Sequence, residues 1–185
     1  MRRARGIFEF GQKQVMAGGE KRRYMDIGCN KGFLLAMAHE HGWDVYGIEL
    51  VRELIRPFIN SYPQYKNQIF SKRFEDAKEK VEGETFDLIT AIDVIEHFED
   101  VSGDLRGIYE LLKPGGVFLI QTPDSGGERA LQQQCTWKSL KPLEHLHLFN
   151  EESLRILSER IGFDDIEYFS PFDEANGNFV AVLRK

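Results

Sequence analysis

The residues best equipped for chemistry in this chain are two carboxylates and a cluster of imidazoles. In Asp93-Val94-Ile95-Glu96-His97 the side chains of Asp93, Glu96 and His97 fall at i, i+3 and i+4, so a helical turn there would point all three the same way. Downstream, Pro142-Leu143-Glu144-His145-Leu146-His147-Leu148-Phe149 adds two more imidazoles. An imidazole titrates near neutral pH, so His97 or His145 is a candidate acceptor for a hydroxyl proton. A second constellation lies upstream. Tyr24-Met25-Asp26-Ile27-Gly28-Cys29-Asn30-Lys31-Gly32-Phe33 reads as a short apolar strand, a glycine turn and the start of an apolar helix. Gly28 and Gly32 carry no Cβ, so backbone can approach a ligand closely. Glu49 follows 21 positions after Gly28, where a second parallel strand would end and a carboxylate can accept both hydroxyl protons of a ribose.

The glycine spacing separates two nucleoside cofactors. A dinucleotide site wants G-x-G-x-x-G, with the pyrophosphate against the helix N-terminus; here Asn30 and Phe33 occupy the places of the second and third glycines. A phosphate-free adenosine cofactor fits better. Asp26-Ile27-Gly28-Cys29-Asn30-Lys31-Gly32 has the form acidic-x-G-x-x-x-G, and at this point the chain resembles the class I S-adenosylmethionine-dependent methyltransferases. The resemblance runs from Tyr24 to the last strand. Phe86-Asp87-Leu88-Ile89-Thr90-Ala91-Ile92-Asp93 is similar to the family's fourth strand, and Leu111-Leu112-Lys113-Pro114-Gly115-Gly116 to the turn into its fifth.

The elements that must position these residues alternate, which is the pattern of a parallel sheet covered on both faces. Strands are expected at Tyr24–Gly28, Asp44–Glu49, Gln68–Ser71, Phe86–Ile92, Val117–Gln121, Asp165–Phe169 and Asn178–Leu183. Helices are expected at Phe33–His41, Val51–Ser61 with Pro57 inside, Asp104–Leu112 and Glu151–Ile161, the last with Asn150 as N-cap and Gly162 as stop. The fold class expected is α/β, a Rossmann-like three-layer α/β/α sandwich. The resemblance implies a seven-stranded, mostly parallel sheet with an antiparallel final strand inserted between the fifth and sixth. Residues 1–185 are expected to form a single methyltransferase domain, with 1–23 an N-terminal segment and 124–149 a substrate-side loop region. Trp137 in that region either lines a substrate pocket or sits in the core.

The resemblance implies S-adenosylmethionine as cofactor, with Asp26, Gly28, Cys29, Gly32, Glu49, Leu50 and Asp93 around it. Asp26 would attract the methionine ammonium and Glu49 would hold the ribose. Where the family often carries a Gly-Asp-Ala-like turn at the adenine, this chain has Lys72-Arg73-Phe74-Glu75-Asp76. Phe74 could stack on the purine, and Glu75 or Asp76 accept its amino proton. The acid-x-x-Glu-His run is similar to that of the ubiquinone-pathway O-methyltransferases, and a distant His to that of the small-RNA terminal 2′-O-methyltransferases. Carried over, Asp93, Glu96, His97 and His145 would hold a divalent metal such as Mg²⁺ or Mn²⁺. Asp93 stands where those groups usually have Glu, with a shorter arm. Glu-His at this place also occurs in methyltransferases without metal.

Composition narrows the partners. The chain has 185 residues, 42% hydrophobic and 29% charged, and a formal net charge of −6. That acidic balance argues against nucleic acid and favours a small-molecule methyl acceptor, even though Lys21, Arg22 and Arg23 form a local basic run. No apolar run approaches the ~18 residues of a membrane span. Two distant cysteines make no disulfide scaffold. Arg2, Arg3 and Arg5 precede Gly6–Gly11 rather than an apolar signal core, so a cytoplasmic location is expected. The function expected is methylation of a small molecule, at oxygen with nitrogen left open, by in-line transfer from the sulfonium. Alternatives are a metal-assisted RNA 2′-O-methyltransferase, a non-catalytic protein that binds S-adenosylmethionine, and a NAD-dependent oxidoreductase. The acceptor and the oligomeric state are not readable.

Overall fold

The structure, a computed structural model, describes residues 2–16, 22–81, 83–172 and 177–185. Lys21 of the basic run lies outside the described residues. Arg22 lies over the Trp43 ring, and Arg23 pairs with Glu84, so this basic run is engaged locally.

Seven strands form one sheet: β1 (Arg23–Ile27), β2 (Asp44–Ile48), β3 (Ile69–Phe70), β4 (Phe86–Ile92), β5 (Leu112–Pro123), β6 (Asp165–Phe169) and β7 (Asn178–Arg184). Their order is β3-β2-β1-β4-β5-β7-β6. β7 runs antiparallel to both β5 and β6, while β1 to β5 pair in parallel. This is the expected sheet with its inserted last strand. β4 is buried along almost its whole length, as an apolar run in the centre of a sheet covered on both faces must be.

Side-chain alternation divides the core in two. Ile89 and Ala91 of β4, Phe118 and Ile120 of β5, and Ala181 and Leu183 of β7 point to one face. There they pack under α4 (Phe74–Ala77), α5 (Val101–Leu111) and α7 (Glu151–Ile161). Leu88, Val117, Leu119, Val180 and Val182 point to the other face, against α1 (Arg2–Gln14), α2 (Phe33–Glu40) and α3 (Arg52–Ser61). The period of two along each strand produces this split.

Three features differ from the expected elements. Residues 2–14 are a helix that buries Ala4, Ile7, Phe8 and Gly11. β5 begins at Leu112, because Gly115 at φ 75 lets the Lys113–Gly116 stretch bulge within the strand rather than precede it. The pairing register with β4 shifts opposite Phe86 and Leu88 accordingly. Within the otherwise unpatterned 124–149 region, α6 (Glu128–Gln133) forms a short helix.

The order of connection reverses between β1 and β4, so the loops leaving the carboxyl ends of these strands diverge and leave a crevice. Among the described residues no helix is long and apolar enough to cross a membrane.

Candidate active site

The crevice is floored by the turn after β1. The amides of Gly28 and Cys29 both donate to the Ile48 carbonyl, at 2.8 and 3.0 Å, which clips the turn to the end of β2. Gly28 holds φ 73 and Gly32 φ 74, left-handed conformations that favour glycine. The space a Cβ would need over Gly28 belongs to Val94, and over Gly32 to the Phe58 ring at 2.7 Å. The two glycines therefore let the turn nest against the loop after β4 and against α3, and Gly28 also lines the cavities described below.

Glu49 ties the crevice together. Its carboxylate accepts the Asn30 amide on one oxygen and the Val51 amide on the other, each at 2.8 Å, and the residue is buried. Each carboxylate oxygen keeps a lone pair for a further donor. Two cavities meet at Gly28, Glu49 and Val94. The first, about 240 Å³, is walled by Leu50, Phe74, Glu75, Phe98 and Asp104. The second, about 500 Å³, is walled by Arg3, Asp26, Cys29, Lys31 and Asp93. A ribose at Glu49 would send its base into the smaller cavity and its amino-acid tail into the larger.

Each cavity has its own electrostatics. Asp26 is 3% exposed and accepts the Thr90 hydroxyl at 2.6 Å, while the Tyr24 and Thr90 hydroxyls lie 2.6 Å apart. Burial raises the Asp26 carboxyl to about 7, the Thr90 bond opposing and Glu49 adding to the rise. A nearby cation would draw it back toward ionisation. In the smaller cavity Phe74 stacks on Phe98 with centroids 6.3 Å apart. Asp104, 4% exposed in its wall, is raised to about 6 by burial and then by Glu75. Sequence reasoning read Asp104 only as the start of a helix and missed Arg3, whose guanidinium donates to Asp93 at 3.1 Å.

A third cavity, about 370 Å³, lies beside these and is walled by Asp93, Glu96, His97, Lys138, Ser139, Lys141, His145 and Asn178. Asp93 is shared with the larger cofactor cavity and His97 with the smaller. The turn after β4 is a short 3-10 helix over Ile95–His97, not an α-helix that includes Asp93. Asp93 sits at φ 58, and its carboxylate is held by Gln121, Asn178 and Arg3. The four residues of the acid-x-x-Glu-His and distant-His set thus divide. Ligand atoms of Glu96, His97 and His145 all lie within 4.8 Å of one another, and Asp93 is outside this group.

The trio is held by main-chain bonds. The Leu146 and His147 amides donate to the Glu96 carbonyl at 2.8 and 3.1 Å, bringing a distant segment onto the turn. The His97 Nδ1 lies 2.7 Å from the Glu144 carbonyl, which fixes Nδ1 as the donor and leaves Nε2 with its lone pair. His145 crosses His97 edge to face with centroids 4.8 Å apart, and its Nδ1 is buried without a partner. Burial, then His97, lowers its pKa. Glu96, 2% exposed, accepts the Thr122 hydroxyl at 3.0 Å, and burial raises its carboxyl to about 7. Two further histidines serve helix ends: His41 Nδ1 bonds the Met37 carbonyl and His39 Nδ1 the Tyr65 hydroxyl.

Sheet order, glycine turn and ribose-type carboxylate together define a class I S-adenosylmethionine-dependent methyltransferase. Residues 2–168 match the family described as Methyltransferase domain, and the chain belongs to it. It is 27% identical over 115 residues to a ubiquinone biosynthesis O-methyltransferase of Psychrobacter cryohalolentis, covering 60% of this chain and 44% of that protein. A tRNA U34 carboxymethyltransferase of Helicobacter acinonychis is 31% identical over 155 residues, covering 78% and 57%. Both relatives are longer, and this chain spans about half their length. Among solved structures, a SAM dependent methyltransferase from Archaeoglobus fulgidus superposes with a TM-score of 0.73 at 14% identity, covering 98% of this chain and 94% of that one. S-Adenosylmethionine is the cofactor, and the paired cavities around Glu49 fit an adenosine joined to an amino acid.

Proposed function

We propose that the protein methylates an oxygen of a small hydroxylated molecule bound between Glu96, His97 and His145. The observation that carries this is the shared position of His97, in the wall of both the acceptor cavity and a cofactor cavity, with Nε2 free. The ubiquinone biosynthesis O-methyltransferase among the relatives supports oxygen as the nucleophile.

When bound, S-adenosylmethionine supplies a methyl already activated on a sulfonium, so an oxygen–carbon bond forms as the sulfur–carbon bond breaks. The chain's task is alignment and removal of one proton. Glu49 holds the ribose, Asp26 faces the ammonium, and Phe74 packs against the base. His97 Nε2 takes the hydroxyl proton as the oxygen attacks. His145, kept neutral by burial, orients His97 edge-on.

The same trio has the donor set of a divalent-ion site. One carboxylate and two imidazoles, with a buried nitrogen lacking a partner, fit Mn²⁺ better than Mg²⁺, which prefers oxygen ligands. An ion there would acidify a bound hydroxyl.

The test is turnover of hydroxylated acceptors by the wild type, His97→Ala and His145→Ala proteins, with S-adenosylhomocysteine binding measured in parallel. His97→Ala is expected to lose about a hundredfold or more in turnover while still binding S-adenosylhomocysteine. Unchanged turnover in both variants, and in the protein that combines them, would remove both histidines from the chemistry. Chelator treatment followed by Mn²⁺ addition asks the metal question separately: activity lost and restored identifies an ion, and activity indifferent to chelator leaves His97 as the base.

A further inference from the structure

Beyond the acceptor cavity lies a fourth, about 660 Å³, lined by Glu128, Arg129, Gln132, Gln133, Trp137, Lys138 and Ser139. It shares Lys138 and Ser139 with the acceptor cavity, so one wall serves both spaces. That wall carries one cation, Lys138. Arg129 and Glu128 line the fourth cavity around it, and Lys141 the acceptor cavity.

The carboxylates nearby are already engaged. Glu128 accepts the Gln132 amide at 2.8 Å, and Glu144 pairs with Lys141 at 3.4 Å. Lys138 is exposed and makes no ion pair or hydrogen bond with any described residue. Next to it Trp137, 5% exposed, keeps its indole N–H buried without a partner. An exposed ammonium with no partner among the described residues suits an oxyanion.

We propose that the methyl acceptor carries an oxyanion, a carboxylate or a phosphate, held by Lys138 at the mouth of the fourth cavity while its hydroxyl lies at His97. This rests on the hydroxyl-acceptor reading above and adds the second recognition point. Neutral hydroxylated molecules of the same shape would enter but would lack an anchor.

The experiment compares dihydroxybenzoate, dihydroxyphenylphosphonate and the neutral dihydroxybenzamide. Each is measured for methyl transfer and for calorimetric binding to the S-adenosylhomocysteine complex, with wild type and Lys138→Met. Lys138 is exposed, so the substitution leaves the core intact, and unchanged S-adenosylhomocysteine affinity checks this. The anions are expected to exceed the amide by about tenfold in the wild type and by little in Lys138→Met, with the preference shrinking at high salt. The stronger of the two anionic probes identifies the group. Equal handling of amide and anions, or a preference that survives Lys138→Met, overturns the inference. Anion binding through Lys138 with no transfer to either hydroxyl would instead sink the hydroxyl-acceptor reading and leave the anion subsite standing. The absence of both binding and transfer for every probe also overturns this inference.

Discussion

A carboxylate as buried as Asp26 carries a cost that a bound proton or a nearby cation offsets. Its neighbours are the Thr90 and Tyr24 hydroxyls, Cys29 and the Glu49 carboxylate, none of them a positive charge. Its carboxyl titrates at about 7 against an ordinary 3.8. The folded state therefore holds a proton that the unfolded state releases, and stability falls as pH rises from about 4 to about 7. Asp26→Asn is expected to flatten this dependence, so its melting temperature gains on the wild type at pH 8 relative to pH 5. The functional face of the same argument runs the other way. If Asp26 meets the methionine ammonium, wild-type affinity for S-adenosylhomocysteine rises between pH 6 and 8 and that of Asp26→Asn stays low and flat. Calorimetry at the two pH values decides it: a flat wild-type profile with equal affinity in the variant takes Asp26 away from the ammonium. At this scale the sequence was legible where spacing is local. Asp26, Gly28 and Glu49 stand at loop ends whose strands were readable from apolar runs. Asp104 and Lys138 were not, because only the packing of α5 under Phe74 and the folding of 124–149 across the sheet edge bring them to a cavity.

Helix ends show how far local rules reach at the scale of the element. α7 starts in a capping box: the Asn150 side chain accepts the Ser153 amide at 2.8 Å, and the Ser153 hydroxyl accepts the Asn150 amide at 3.0 Å. It stops at Gly162 with φ 117. Both ends were readable from residue type, and Asn150→Ala is expected to cost about 1 kcal/mol, a fall of roughly 2–4 °C for a chain of this size. Thermal melts check this, and a larger fall would mean that Asn150 also holds the Gly126 turn packed against it. α1 has the opposite character. Its apolar positions Ala4, Ile7, Phe8 and Gly11 follow i, i+3, i+4, i+7, the period of a buried helix face. Yet Arg2, Arg3 and Arg5 fill its first turn, where the helix dipole disfavours cations and no acidic residue marks a start. Tertiary burial of Phe8 against Tyr24 and Trp43 overrides that local signal. The same conflict explains the turn after β4. A helix beginning at Asp93 satisfied the spacing of Asp93, Glu96 and His97, but Asp93 is left-handed, its carboxylate is bonded by Gln121 and Asn178, and it stays outside the close group of Glu96, His97 and His145.

For the molecule as a whole, the crevice at Glu49 is a junction between separate strands. The crevice joins the ends of β1, β2 and β4, three strands distant in sequence, and the Glu49 side chain is bonded to the loops after both β1 and β2. A ligand that binds only the folded state stabilises it by RT ln(1 + [L]/Kd), about 2.7 kcal/mol at a hundred times Kd. For a chain of 185 residues each kcal/mol is worth roughly 2–4 °C, so saturating S-adenosylhomocysteine is expected to raise the melting temperature by about 5–11 °C. Glu49→Ala removes charge-assisted hydrogen bonds worth about 1–3 kcal/mol of ligand affinity. It also leaves the Asn30 and Val51 amides without their acceptor. The variant should therefore melt lower without ligand and gain less from a fixed ligand concentration. These two effects separate two roles of one carboxylate. A lower melting point with an undiminished ligand shift would make Glu49 a loop clasp alone, and a diminished shift with an unchanged baseline would make it a ribose ligand alone. The two bonds at 2.8 Å predict the lower baseline, and the place of Glu49 where both cavities meet predicts the smaller ligand shift.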